Sequence, residues 1–215
     1  MGRQLKYDIP GPDWRRGLDE IREKGWGELL DSLPGTGVPL VIDVGFGRGE
    51  FLVDQAACHA DRAFIGVEYS KKRVLKFARR LARTELSNIR IVDAMAETFV
   101  REGLAPGSVD AFWINFPDPW PKARHARRRL VQPAFVALLA DRLRPHGAVY
   151  VATDSRPYAL QIHDCLSGEV RLVNRYASAW RADVEGRTPT AYEQAWRAEG
   201  RSMHFFAYGL KGPDE

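Results

Sequence analysis

From Pro39 onward, apolar runs and helix-patterned segments alternate without a break, and this constrains the chain more than any other feature. VPLVIDVGF precedes RGEFLVDQAACHA. RAFIGVEY precedes SKKRVLKFARRLART, where Ser70 is suited to cap a helix and Val74, Phe77, Ala78 and Leu81 recur at helical spacing. NIRIVDA, AETFVRE, SVDAFWINF, QPAFVALLADRLR, GAVYVATD and SRPYALQIHDCLS continue the alternation. Such an order requires parallel strands joined by right-handed crossover helices. Apolar runs with few polar alternations fit strands covered on both faces. The last two strands, VRLVNRY and MHFFAYGLK, show no helix between them and are expected to pair antiparallel. The expected fold class is therefore α/β: a Rossmann-like, doubly wound, mostly parallel sheet with an antiparallel last strand. Its ligand should lie outside the strand C-termini. Residues 1–37 read as an N-terminal extension with one helix, GLDEIREKGWGELLDSL, stopped by PGTG, and residues 38–215 as the main domain.

Composition excludes several other classes. With 28% charged and 45% hydrophobic residues, the 215-residue chain is neither disordered nor membrane-like. No run approaches the ~18 apolar residues that span a bilayer, and MGRQLKYDIPGPDW lacks a signal-peptide core, so a cytoplasmic location is expected. Cys58 and Cys165 are far apart in helix-like stretches and read as small core residues in a reducing compartment. The histidines show no ligand spacing with cysteines or carboxylates, so no metal is expected. The net charge of +4 is mild, but Lys122 to Arg129 holds five fixed positive charges and no negative one.

The first strand runs into Asp43-Val44-Gly45-Phe46-Gly47-Arg48-Gly49-Glu50. Gly45, Gly47 and Gly49 allow backbone to approach a ligand and turn into the next helix. A dinucleotide fingerprint wants a small residue where Glu50 stands, with the pyrophosphate on the helix N-terminus. Asp43 and Glu50, as two anions bordering the loop, would repel that pyrophosphate and suit a cationic ligand. Glu68 closes the second strand, 19 residues after Gly49, where a carboxylate can accept both ribose hydroxyls; Asp93 closes the third, where an adenine amino group would sit. S-adenosylmethionine has a sulfonium, an ammonium, a ribose and an adenine, and no phosphate. Three acids at successive strand ends match it, against the plainer reading of loop-facing surface acids.

FPDPWPKARHARRR, residues 116–129, follows the fourth strand. It is too rich in proline for a helix and too basic for the interior. Pro117 and Pro119 restrict the backbone around Asp118, so its carboxylate should be held in place. Trp120 offers either a stacking surface for a base or an apolar plug over the sheet edge.

DVGFGRGEF, GVEYSKKRV, FPDPWPKARHARRRLV, VATDSRPY and TAYE, in this order and spacing, resemble the tRNA (guanine-N7-)-methyltransferases over roughly residues 38–208. The glycine loop is common to many methyltransferases; FPDPWPK followed by the RH-x-RRR run is specific to this family. The resemblance implies a class I methyltransferase that moves a methyl group from S-adenosylmethionine to guanosine N7 in tRNA, at position 46 of the variable loop. It implies Asp118 as the catalytic residue and a cofactor contact, beside Asp43, Gly45, Gly47, Gly49, Glu68 and Asp93. Asp118 would accept hydrogen bonds from guanine N1 and N2. Lys122, Arg127, Arg128 and Arg129 would grip tRNA phosphates. Asp154 and the loop Thr190-Ala191-Tyr192-Glu193 would contact the nucleotide. That loop departs from the family's commoner Thr-Lys-Phe-Glu, which puts one phosphate contact in doubt. Gly2-Arg3 and the basic start would suit a tRNA-binding arm.

Three rivals stand beside this reading. A dinucleotide oxidoreductase is disfavoured by Asp43 and Glu50. A methyltransferase acting on another RNA base, or on protein, keeps every cofactor residue. A non-catalytic RNA-binding subunit of this fold would be expected to lose a cofactor carboxylate or Asp118, and all are present. The expected partner is tRNA, with no membrane and no metal, and the protein a monomer or homodimer.

Overall fold

The computed structural model describes residues 8–29 and 37–212, with the side chains of 8–25 and 37–212. The basic opening Gly2-Arg3 and the end of the first expected helix lie outside the described residues. The elements are β1 (Arg15–Arg16), α1 (Leu18–Leu29), β2 (Leu40–Val44), α2 (Glu50–Cys58), β3 (Ala63–Glu68), α3 (Lys71–Leu81), β4 (Ile89–Asp93) and α4 (Ala96–Glu102). Then come β5 (Val109–Asn115), a 3-10 turn Ala123–Arg128, α5 (Pro133–Arg142), β6 (Leu143–Thr153), α6 (Arg156–Ser167), β7 (Leu172–Asn174), α7 (Ala191–Ala198) and β8 (His204–Leu210).

Eight strands form one sheet in the order β1-β4-β3-β2-β5-β6-β8-β7. β8 alone runs against its neighbours, pairing antiparallel with both β6 and β7, while the other pairings are parallel. Every residue of β2 and β3 is buried, as continuous apolar runs require when both faces are covered. On one face α2 and α3 supply Leu52, Ala56, Val74, Phe77, Ala78 and Leu81. On the other, α1, α4, α5 and α6 bring Ile21, Phe99, Phe135, Leu139, Tyr158 and Ile162 into the main core. The chain winds outward from β2 through β3 to β4, then returns to lay β5 on the other side of β2. Loops leaving the C-terminal ends of β2 and β5 therefore diverge, and a crevice opens between them.

Four expectations are corrected. A helix, α7, does lie between the last two strands, and β7 has only three residues. Their antiparallel pairing stands. Cys58 is exposed, whereas Cys165 is buried as expected; both are free thiols. The basic stretch is not helix-free, since Ala123–Arg128 form a 3-10 turn once the prolines are passed. Finally, the extension contributes an unforeseen edge strand: Arg15 and Arg16 pair with Ile91 and Val92 of β4. Trp14, just ahead of it, lies under the Arg90 guanidinium, whose carbon is 4.4 Å from the ring centre. This strand covers the open edge of β4.

Candidate functional site

The glycine loop is shaped by two demands. Gly49 caps α2 at φ 75°, and a Cβ there would come within 2.5 Å of the Phe77 ring, so only glycine lets α2 pack on α3. Gly45 also has φ 75°, yet a Cβ on it would meet nothing within 4 Å, leaving open space above the end of β2. Glu68, at the end of β3, is 2% exposed. Its carboxylate accepts the N–H of Gly47 at 3.2 Å and of Ser70 at 3.0 Å, with Arg73 at 3.4 Å. Asp93 stands beside Glu68 in register and is exposed. Tyr69 and Met95, which follow these two strand ends, are exposed by 60% and 62%. They went unnoticed in the sequence, although an aromatic directly after a strand-end acid was visible as Glu68-Tyr69.

Asp43 corrects one argument while keeping its place. It lies inside β2 and is buried, and burial pushes its carboxyl up to about 7. The Glu68 charge acts in the same direction, while the Asn115 carboxamide and the Arg187 guanidinium oppose it. The Asn115 Nδ2 nonetheless reaches no acceptor with full hydrogen-bond geometry. Glu50 is paired with Arg48 at 2.9 Å and lies 4.0 Å from Arg80. Arg48 and Arg80 offset the Glu50 charge, and Asp43 lies buried within β2, so the expected repulsion of a pyrophosphate is weaker than two open anions would give.

Across the crevice, β5 ends at Asn115 and the chain enters the turn Phe116–Trp120. Phe116 and Trp120 both have positive φ, 52° and 40°, and they bracket Pro117, Asp118 and Pro119. Non-glycine residues held this way store strain of order 1–3 kcal/mol each and persist only where surroundings fix them. Arg129 does much of the fixing. Its Nε donates to the Pro119 carbonyl at 2.8 Å and its Nη1 to Gln161 Oε1 at 2.8 Å, and it sits over the Tyr158 ring. Arg129 is only 6% exposed. These contacts count against the expectation that it grips phosphate, since they hold its donors on the protein's own carbonyls. Asp118, Lys122, Arg124, Arg127 and Arg128 are exposed. The Arg128 guanidinium covers one face of the half-buried Trp120, 5.2 Å from the ring centre, and His125 meets the indole edge-on.

The third wall is α7. Thr190 caps it by accepting the Glu193 N–H at 3.0 Å, so TAYE is a helix start rather than a free loop. Tyr192 faces Phe116, with ring centres 5.1 Å apart, and its hydroxyl lies 3.5 Å from Asp154 Oδ2. Asp154, after β6, is also bound by Arg201 at 2.9 Å. Glu193 turns inward, 2% exposed, between Arg187 and Arg197. The fold thus brings Asp154 and Tyr192 together against the turn that carries Asp118. Glu193 is built into the wall instead of facing outward. Arg187 and Asn115, which lie at the meeting point of these parts, were missed from sequence. An arginine in a polar loop carries no local signal that it will be buried.

The sequence profile of the family described as "Putative methyltransferase" matches residues 38–206. The tRNA (guanine-N(7)-)-methyltransferase of Halorhodospira halophila is 39% identical over 186 residues, 86% of this chain and 80% of its own length. That of Nitrosomonas eutropha is 40% identical over 174 residues, 81% of this chain and 77% of its own. The crystal structure of the 16S rRNA (adenine(1408)-N(1))-methyltransferase from Catenulisporales acidiphilia superposes with a TM-score of 0.60 at 17% identity, over 98% of this chain and 99% of that one. This last likeness is one of fold, the Rossmann-like class I methyltransferase fold. Sequence likeness at this level across most of both chains goes further: the chain belongs to the tRNA (guanine-N(7)-)-methyltransferase family.

Proposed function

We propose that this protein transfers the methyl group of S-adenosylmethionine to N7 of a guanosine in tRNA, the variable-loop guanosine at position 46, in the cytoplasm. The observation that carries the reading is the strained turn Phe116–Trp120, which presents exposed Asp118 across the crevice from the glycine loop and directly before the exposed cations.

The residues present fit the cofactor. Open space lies above Gly45, a buried carboxylate closes β3, and two exposed apolar side chains, Tyr69 and Met95, flank the strand ends where an adenine would rest. Bound there, S-adenosylmethionine supplies an electrophilic methyl group on its sulfonium. Gly45, Gly47 and Gly49 give backbone access, Glu68 and Asp93 take the ribose and adenine, and Asp43 faces the methionine end.

Guanine N7 is a lone-pair nucleophile with no proton to lose, so no general base is required. What the chain must do is orient. Asp118 accepts from guanine N1–H and N2–H, an edge that adenine does not present as donors. Tyr192 and Asp154, held together beside Phe116, bound the nucleotide on the other side. Lys122, Arg127 and Arg128 hold adjacent phosphates. Because Arg128 already covers one face of Trp120, the indole serves the cation and the turn first.

The test is incubation with isotopically labelled S-adenosylmethionine and total tRNA lacking 7-methylguanosine, followed by nucleoside analysis and mapping of the modified position. Labelled 7-methylguanosine in the variable loop is expected. Label in another nucleoside, or none, would overturn the reading.

A further inference from the structure

We propose that Arg187, in the segment between β7 and α7, is a positioning residue that locks the nucleotide-binding wall to the cofactor crevice. The proposal rests on the function proposed above. It stands on the contacts of one guanidinium. The Arg187 side chain is 5% exposed. Its Nη2 donates to Asn115 Oδ1 at 2.7 Å, and its Nη1 pairs with the Glu193 carboxylate. The guanidinium carbon lies between two rings, 5.6 Å from the centre of Phe51 and 4.9 Å from that of Phe205.

Each partner belongs to a different part of the site. Asn115 is the last residue of β5, three before Asp118 in the chain, so fixing its carboxamide fixes the root of the strained turn. Glu193 lies in the first turn of α7, next to Tyr192 and three after the cap Thr190. Phe51 stands on α2, directly behind the glycine loop. The Arg187 charge also acts on the Asp43 carboxyl of β2 and favours its ionised form. Asp43 is otherwise faced by Glu68 from β3, which opposes ionisation, and by the Asn115 carboxamide from β5, which favours it.

A planar guanidinium can serve Asn115 and Glu193 at once, whereas an ammonium offers one point of charge. Arg187 also keeps one buried donor unspent. Its Nε is buried without a hydrogen-bond partner, and Arg187 and Asn115 both line a cavity of about 40 Å³ with Trp113, Tyr150 and Tyr176. Buried unpaired donors are uncommon in settled cores, and each is accounted for by strain, by a functional role or by a bound water.

Arg187→Lys and Arg187→Gln separate the two contributions in the full chain. Arg187→Lys retains the charge beside Asp43 but loses the fork. Its pH profile of S-adenosylhomocysteine binding should match the parent, while kcat for tRNA methylation falls about tenfold or more and KM for tRNA rises, since a misplaced site loses rate steeply. Arg187→Gln retains some hydrogen bonding without the charge. Its binding profile should shift to higher pH, because Asp43 loses the cation that favours ionisation. Asn115→Ala removes the β5 acceptor alone, and should reproduce the kinetic defect of Arg187→Lys if either Arg187 variant fails to fold. A folded Arg187→Lys with the parent's kcat and KM, or an Arg187→Gln with the parent's binding profile, would overturn the proposal. If the parent itself methylates no tRNA, the function proposed above fails, and the pH profiles still decide the link between Arg187 and Asp43.

Discussion

The Glu68 carboxylate accepts the Gly47 backbone N–H at 3.2 Å, so an acid at the end of one strand holds the loop that leaves its neighbour. The proposed cofactor contact and the loop shape thus share one side chain. Glu68→Ala should weaken S-adenosylmethionine binding by ~1–3 kcal/mol and also lower the melting temperature, because the Gly47 and Ser70 N–H groups lose their acceptor. Calorimetry and thermal unfolding read the two effects separately. Parent-like affinity in a folded variant would remove Glu68 from the cofactor contacts.

A second expectation concerns pH. Burial raises the Asp43 carboxyl from the ordinary 3.8 to about 7, so the folded chain keeps its proton where the unfolded chain has lost it. The stabilising contribution is complete below 3.8 and is lost as pH rises through the window up to about 7. The loss is bounded at roughly 4 kcal/mol, since each unit of pKa difference is worth about 1.4 kcal/mol. Asp43→Asn removes this titration. Denaturant unfolding from pH 4 to 8 should show the parent losing stability relative to Asp43→Asn across that window. Parallel profiles would mean the carboxyl titrates normally.

Much of the fold was legible because its signals are local. The apolar runs that became β2 and β3, and the stripe Val74, Phe77, Ala78 and Leu81 on α3, follow directly from periodicity. The edge strand Arg15–Arg16 escaped because two charged residues carry no strand pattern; only the exposed margin of β4 makes them one. α7 escaped although its start signal was present. Thr190 followed three residues later by Glu193 is a capping-box spacing, but so short a segment ahead of a strand looks equally like a loop. In the candidate site, the acids at the strand ends were readable as chemistry, but their burial was not. Arg129, Glu193 and Asp43 all look like surface charges in a sequence, and all three are turned inward by residues far along the chain.

The basic run should therefore split into two behaviours. Replacing Lys122, Arg127 and Arg128 by Ala should weaken tRNA binding and flatten its salt dependence by about 0.7 to 0.9 per lost phosphate contact, with only the small drop in melting temperature that losing the Arg128 cover on Trp120 brings. Arg129→Ala should instead lower the melting temperature, because the Pro119 carbonyl and Gln161 lose a buried charged donor worth ~1–3 kcal/mol. Binding titrations at several salt concentrations, run beside thermal unfolding, distinguish them. A parent-like salt slope in the triple variant would reduce these cations to a solvated face.

Asp118 carries the sharpest expectation. It is exposed, yet its backbone is held between Phe116 and Trp120 at positive φ, with the Pro119 carbonyl anchored by Arg129. Asp118→Asn preserves shape but turns one acceptor oxygen into a donor facing guanine's own N1–H and N2–H. Donor against donor leaves groups unpaired in the closed site, at ~1–3 kcal/mol, or about tenfold to a hundredfold in rate. On the proposed role, in which Asp118 orients the base and takes no proton, raising the pH should not rescue the variant. A general base would behave otherwise, with its rate tracking deprotonation. Single-turnover methyl transfer to tRNA from pH 6 to 9, for the parent and Asp118→Asn, makes the measurement. A loss that is constant across pH fits an orienting carboxylate. A loss that shrinks as pH rises assigns Asp118 to proton transfer, and parent-like rates leave the strained turn a purely structural task.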